Sequence, residues 1–384
     1  MKVVDAISDT NIGGAGILLL MRLKNSDRKK IQSTVILPKG SALRPRFSDI
    51  DIPTIEVDGC YDRSFDIHAI KRYRKILQEV SPDLINCHGC MSCRIAARQS
   101  RVPVSIYTRH CAYPPKKWQE SVWGRALIGQ GQRLLSDHII AVAEAAKENL
   151  IAMGTAPSPI SVIINGVEPL QRFSQQARDK IRKILAIPES AFVIGIFARL
   201  EACKGHAIFL KAAQRLLAQS ERFYFLIVGS GSLASELKRD SQQKGLTSHV
   251  RFTGFAEDVS PYMNITDILV NCSVGTETSS LALSEAMSLR IPCVVSDYGG
   301  NPYMVKHGNN GLVYPKGNST VLAEQLKRLS EDRILYDQLS ENAYHRFCTE
   351  LNAQNMTAQT EALYEKLWED RKESFRCRAS HRQS

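Results

Sequence analysis

The chain has no long hydrophobic run. No window of its 384 residues approaches the ~18 to 20 apolar positions a membrane-spanning helix requires, and the longest runs are of the GILLLM kind (16–21). A chain that crosses a bilayer is therefore not expected. Cysteines number ten but lack even, short-range pairing, and MKVVDAISDTN is not a secretory start. A reducing, cytoplasmic setting without disulfides follows as the expectation. Also missing is G-x-G-x-x-G after a strand: GGAG (13–16) has the wrong spacing for a dinucleotide fingerprint, and GSGS (229–232) is a fragment of one. Finally, there is no groove-reading or base-stacking module, so a non-enzymatic nucleic-acid binder has only the net charge of +11 behind it, and no nucleic-acid partner is expected.

One cysteine cluster does stand out. INCHGCMSCR (85–94) spaces Cys87, Cys90 and Cys93 as in the first part of a ferredoxin-type run, but position 97 is alanine where the next ligand would fall. A four-thiolate zinc site would need a second C-x2-C downstream, and only Cys111, beyond His110, is there. The thiols are read as small residues at a crowded junction between the strand PDLINC and the helix MSCRIAARQS, with no metal, and His88 falls at the carboxyl end of that strand.

At 43% hydrophobic and 23% charged, the chain suits a soluble globular protein with two domains of ordinary size. Its basic excess lies early, with 23 Lys and Arg against 16 Asp and Glu over 1–170, but 21 against 18 over 171–354. Solvated helix faces such as KRYRK (71–75) account for part of it. Apolar, β-branched runs at KVVDAIS, STVILP (33–38), DLINC (83–87), VSIYT (104–108) and HIIAVA (138–143) alternate with helical patterns. The rhythm restarts near 170 with FVIGIFAR (192–199), YFLIVG (224–229), VRFTGF (250–255), DILVNCS (267–273) and IPCVVSD (291–297). Continuous apolar strands alternating with helices predict parallel sheets covered on both faces. The fold expected is α/β: two tandem doubly wound, Rossmann-like domains, 1–170 and 171–354, facing across a cleft. A terminal helix, 355–384, is expected to cross back to the first domain and end in a basic tail.

In such sheets ligands gather at the carboxyl ends of strands where the strand order reverses. Arg199 closes FVIGIFAR, and Lys204 with Gly205 opens the next helix, so two cations five residues apart lie beside free helix amides and can cradle a diphosphate. Gly231 lies in the glycine-rich GSGS turn. After DILVNCS come Glu277, in a loop, and Glu285, inside the following helix, where a carboxylate needs polar partners such as ribose hydroxyls.

These pieces in this order resemble the retaining nucleotide-sugar glycosyltransferases of family four, which have the GT-B fold: NIGGAG after the first strand, the histidine of SIYTRHC, IINGVEP, ARLEACKG, VGSGS, VRFTGF, the two glutamates, VVSDYGGNPYMV and GLVYP. The resemblance implies that Arg199 and Lys204 hold the donor diphosphate and neutralise the departing charge, with no metal or other cofactor. It implies that Glu285 takes the ribose and Glu277 the transferred sugar, that amides at Ser279, Ser280 and Leu281 bind donor groups, and that the backbone at Thr253, Gly254 and Phe255 lies near the base. Gly13 and Gly14 would border the diphosphate and the acceptor. His110 would contact the sugar near the reacting bond, while His88 is either a contact on the acceptor side or a hydrogen-bonded structural histidine. Two departures are visible. Thr278, Ser279 and Ser280 stand where many members have Gly-x-Pro, which bears on the sugar bound, and Tyr303 stands where many have an acidic residue. The Asp-x-Asp in SDID (48–51), a pattern of metal-dependent transferases, lies in a polar connection and carries no metal expectation.

The implied activity is transfer of a hexose-type sugar from a nucleoside-diphosphate sugar to a saccharide acceptor, lipid-linked, in cell-envelope polysaccharide or glycan assembly. A sugar phosphorylase or nucleotide-sugar epimerase of the same fold would share the cleft and cradle. One segment, HCAYPPKKWQESVWGRAL, combines Lys116, Lys117, Trp118, Trp123 and Arg125. Either its rings pack into the first domain's core, or they face an anionic membrane, placing the enzyme peripherally at the inner face of the cytoplasmic membrane.

Overall fold

A computed structural model describes residues 1–59 and 65–380. The chain forms two compact units, the first made of 1–166 with the segment from Ala353 onward, the second of Val167–Asn352. The chain enters and leaves the second unit side by side, Val167 N–H donating to Leu351 C=O at 3.0 Å.

In the first unit a seven-stranded sheet comprises β1 (Lys2–Ile7), β2 (Gln32–Pro38), β3 (Thr54–Val57), β4 (Leu84–His88), β5 (Val104–Arg109), β6 (His138–Ala141) and β7 (Ile160–Val162). Its order is β3-β2-β1-β4-β5-β6-β7, and every pairing is parallel. The apolar runs are apolar because both faces are covered. Val4, Ala6, Ile36, Ile85 and Cys87 pack with Ile70, Tyr73 and Leu77 of the helix Ile67–Val80 and Cys93 and Ala97 of the helix Met91–Gln99. Ile7, Val35 and Leu37 meet Leu19 and Leu23 of the helix Gly14–Lys24. The last helix, Ala353–Ser380, belongs to this unit and sends the buried Tyr364 to the sheet, where its hydroxyl accepts from Asn86 Nδ2 at 2.8 Å.

The second unit has six parallel strands, β8 (Phe192–Phe197), β9 (Phe223–Val228), β10 (Val250–Gly254), β11 (Ile268–Asn271), β12 (Cys293–Ser296) and β13 (Gly311–Tyr314), in the order β10-β9-β8-β11-β12-β13. Three strands were not expected from the apolar runs: β3, β7 and β13. Each lies at a sheet edge and spans three or four residues; β3 and β7 are mostly part-buried and carry no continuous apolar run, whereas β13 (GLVY) is apolar and largely buried but only four residues long. Both strand orders reverse beside the first strand of the unit. The crevice positions are therefore the carboxyl ends of the β1/β4 pair and of the β8/β11 pair.

Candidate functional site

At the β8/β11 edge the chain turns twice. After β8, residues Ala202–Lys204 form a single 3-10 turn and the α-helix starts only at His206, so Lys204 precedes that helix rather than opening it. Gly205 between them has φ 69°, and a Cβ there would sit 2.1 Å from the Cys272 carbonyl oxygen; only glycine lets this turn close on the end of β11. The turn delivers Lys204 Nζ to Glu277 Oε2 at 2.9 Å.

Glu277 is buried, and it also accepts from Ser273 Oγ at 2.7 Å and Asn271 Nδ2 at 3.1 Å. Burial pushes its carboxyl up, but the Lys204 ammonium and these hydrogen bonds outweigh burial and hold it below the usual carboxylate range. Its backbone is held as tightly. Gly299 and Gly300 of the GGNP segment lie against the Glu277 and Thr278 carbonyls, where a Cβ would come within 2.2 and 1.6 Å, and Gly300 N–H donates to Glu277 C=O at 3.1 Å. Thr276, just before, has φ 43°, a left-handed conformation costing a β-branched residue on the order of 1–3 kcal/mol. The strain is held beside the buried Glu277 carboxylate.

The other expected donor residues gather on the same unit. Arg199 is exposed at the end of the β8 segment. Next to it Glu201 accepts from Ser232 N–H at 3.1 Å and Ser232 Oγ at 2.8 Å, tying this loop to the turn that holds Gly231. That turn is joined in its own right to the end of β10, Gly229 N–H donating to Gly254 C=O at 2.9 Å, with Thr253 beside it and Phe255 exposed. Ser279 and Ser280 lead into the helix Leu281–Ser288, and the buried Ser279 hydroxyl has no hydrogen-bond partner among the described residues. On that helix Glu285 is half-buried, its carboxylate takes no hydrogen bond among the described residues, and burial with the nearby Asp258 charge pushes it up to about 7. Sequence reasoning missed Ser273, Asn271 and Glu201, which are ordinary polar residues until the strand ends bring them together. It also missed His206, buried with neither ring nitrogen partnered among the described residues and pushed down to about 4 by burial and Lys204.

At the β1/β4 edge the structure builds a chain of charges and rings. Arg22 Nη2 donates to Asp5 Oδ2 at 2.5 Å, and Asp5 Oδ1 faces His88 Nε2 at 3.3 Å. His88 Nδ1 lies 2.9 Å from His110 Nε2, the two rings stacked with centroids 5.2 Å apart. His88 is thus buried with both ring nitrogens engaged by protein. Burial pushes the Asp5 carboxyl up, but Arg22 and His88 outweigh burial and leave it below its ordinary value. Burial and the His88 ring push His110 down to about 3. Gly13 caps the helix Gly14–Lys24, a Cβ on it reaching 3.2 Å from Asp9 Oδ2, while a Cβ on Gly14 would meet no protein atom within 4 Å. Cys87, Cys90 and Cys93 do converge, with burial and the two neighbouring thiols pushing Cys93 well up, but among the described residues no group of His, Cys, Asp or Glu is placed to hold a metal ion.

The tryptophan segment resolves against core packing. Trp118 is 53% and Trp123 86% exposed, and on the helix Val122–Leu135 the residues Val122, Leu127 and Leu134 are exposed with them, among Lys116, Lys117, Arg125 and Arg133. Among the described residues no helix is long and apolar enough to cross a membrane.

Comparison with known proteins bears on the family and the fold. Residues 12–170 match the family model "Glycosyltransferase Family 4" and residues 177–346 match "Glycosyl transferases group 1". The chain belongs to the family-four glycosyltransferases and has the GT-B fold. It is 26% identical over 313 residues to the Escherichia coli UDP-Gal:alpha-D-GlcNAc-diphosphoundecaprenol alpha-1,3-galactosyltransferase, covering 78% of this chain and 79% of that one. It is 30% identical over 200 residues to the Erwinia amylovora amylovoran biosynthesis glycosyltransferase AmsK, covering 50% and 47%. Among solved structures, Anabaena HepE in complex with UDP and glucose superposes with a TM-score of 0.82 at 22% identity, over 95% of this chain and 99% of that one.

Proposed function

We propose that the chain is a retaining, metal-independent hexosyltransferase that uses a nucleoside-diphosphate sugar and extends a lipid-linked saccharide in envelope polysaccharide or glycan assembly. The observation that carries this is the Lys204–Glu277 pair, held by Ser273 and Asn271 at the β8/β11 edge. Together with the exposed Arg199, Lys204 meets the charge that grows on a departing diphosphate, which is where fixed cations stabilise a transition state more than a ground state. Glu285 fits a ribose: a desolvated carboxylate with no hydrogen bond of its own gains most from two hydroxyl donors. Glu277 then faces the transferred sugar, and Gly13, Gly14 and His110 border the acceptor.

A lipid-linked acceptor is supported by the galactosyltransferase relative, whose acceptor is a diphosphoundecaprenol-linked sugar, and by the exposed tryptophans among lysines and arginines, which suit an anionic lipid surface. The enzyme is then cytoplasmic and docks peripherally. A donor and acceptor screen with purified protein, with and without anionic liposomes, tests the reading. Transfer with retention of the anomeric configuration, unaffected by a chelator, is the expected result. Activity abolished by the chelator and restored by manganese would overturn the metal-free part. If the protein ignores liposomes at low salt and Lys116→Glu with Lys117→Glu leaves activity on a lipid-linked acceptor unchanged, the membrane part falls while the transferase stands.

A further inference from the structure

The β1/β4 edge contains more machinery than a lone histidine needs. Asp5 sits on β1, His88 is the last residue of β4, and His110 follows β5, so three neighbouring strands bring Asp5, His88 and His110 into one line. The order of donors along that line can be worked out. Arg22 is a donor only and fixes Asp5 as a carboxylate. Asp5 Oδ1 then needs a donor, so His88 Nε2 carries a proton. The competing contact, Asn86 Nδ2 to the same nitrogen, is longer at 3.4 Å and uncharged, so the carboxylate is the stronger partner. In its neutral form protonated at Nε2, His88 presents a lone pair at Nδ1, and His110 Nε2, 2.9 Å away, then supplies the proton of that bond. His110 is left with Nδ1 unprotonated, and this atom is buried and has no hydrogen-bond partner among the described residues.

We propose that Asp5 and His88 are positioning residues that lock His110 as its Nε2–H tautomer, so that His110 Nδ1 is an acceptor for one hydroxyl of a saccharide. The proposal rests on the transferase reading for its ligand, and on the chain of contacts alone for its tautomer. The acceptor is already desolvated, so a hydroxyl that reaches it replaces no bound partner, and a ligand lacking that hydroxyl leaves the nitrogen unsatisfied. Direct contact with substrate belongs to His110; Asp5 and His88 act through it. The depressed titration of His110 agrees, since a ring that stays neutral keeps its lone pair across the physiological range.

The variants follow from the polarity of the line. His88→Gln can still donate to Asp5 and accept from His110, whereas His88→Phe can do neither; both leave the Asp5–Arg22 pair intact, so neither strands a buried charge. Asp5→Asn can turn the whole line round, because its amide can donate to His88 Nε2 and each proton then moves to the other ring nitrogen. Long-range proton–nitrogen NMR of histidine-labelled, ligand-free protein should show His110 protonated at Nε2 in the native chain and at Nδ1 in Asp5→Asn. In steady-state transfer, His88→Phe should lower kcat on the order of tenfold, the size of one misdirected hydrogen bond, with the donor KM and nucleotide affinity unchanged. His88→Gln should recover most of that loss. A native His110 protonated at Nδ1, or Gln and Phe variants equally impaired, would overturn the proposal. Absence of transfer by the native chain with every donor would overturn the transferase reading alone, because the tautomers are read without substrate.

Discussion

The β1/β4 edge and the β8/β11 edge stand at the same point of the same topology, yet they handle charge in different ways. At β1/β4 the guanidinium of Arg22, the Asp5 carboxylate and the two histidines pair with one another in series, and the acceptor left without a partner among the described residues is the Nδ1 of His110. At β8/β11 Glu277 takes up Lys204, but Arg199 stays exposed and Glu285 stays without a hydrogen bond. On the proposed function, the first edge is met by hydroxyls and the second by an anion and a diol. One strand order thus provides two chemistries, because topology decides where side chains converge and the residues at the strand ends decide what they do.

The sharpest way to break this contrast is to remove the cations. Lys204→Ala and Arg199→Ala should each cost on the order of a hundredfold in kcat, the ~3 kcal/mol of one transition-state charge contact. Their stabilities should differ. Lys204→Ala leaves Glu277 buried without its cation and should lower Tm measurably, whereas Arg199 is exposed and its loss should leave Tm in place. Parallel rate and thermal-unfolding measurements check this. Equal destabilisation by the two would mean that Arg199 is structural and that the second edge has no cation to spare.

A smaller effect concerns Glu285, whose carboxyl is raised from 4.5 to about 7. Between those values the folded chain binds more protons than the unfolded one, so this group's contribution to stability is full below pH 4.5 and is lost as pH rises through 7. Ribose hydroxyls are donors to the ionised form, so nucleotide affinity should climb over the same interval and level off above it. Glu285→Gln should flatten both profiles and weaken nucleotide binding on the order of tenfold, the loss of one charge-assisted hydrogen bond. Calorimetric titration from pH 5 to 9 reads it directly. A native affinity independent of pH would move the ribose elsewhere.

What could be read from the sequence follows from what periodicity and spacing carry. The ten strands read from apolar runs were recoverable because they carry continuous apolar stretches, whereas β3 and β7 are edge strands of three or four mostly part-buried residues and β13 is an apolar run of only four. Arg199, Lys204, Glu277 and Glu285 were legible as unusual residues just after strands. The Asp5–His88–His110 line was not: its members lie 83 and 22 residues apart, and Asp5 inside KVVDAIS looks like an interruption of a strand until register places it beside Asn86. Trp118 and Trp123 had two readings on spacing alone, and only exposure separates them.

The smallest effect expected separates two glycines of one loop. Gly16 is a packing glycine: a Cβ there would lie 2.6 Å from the Leu43 side chain, so Gly16→Ala should destabilise the first unit while leaving substrate affinity alone. Gly14 is different, since among the described residues nothing lies within 4 Å of its Cβ position and it opens the helix Gly14–Lys24. By helix propensity Gly14→Ala should stabilise the fold, by up to ~1 kcal/mol. If the loop borders the diphosphate and the acceptor, the same methyl group should nevertheless weaken substrate binding several-fold, giving a variant that melts higher and binds less. Thermal unfolding beside KM measurements for donor and acceptor checks both signs at once. A Gly14→Ala protein with unchanged KM values would remove this loop from the site, and the absence of a side chain at position 14 would then answer to no contact in the protein or its ligands.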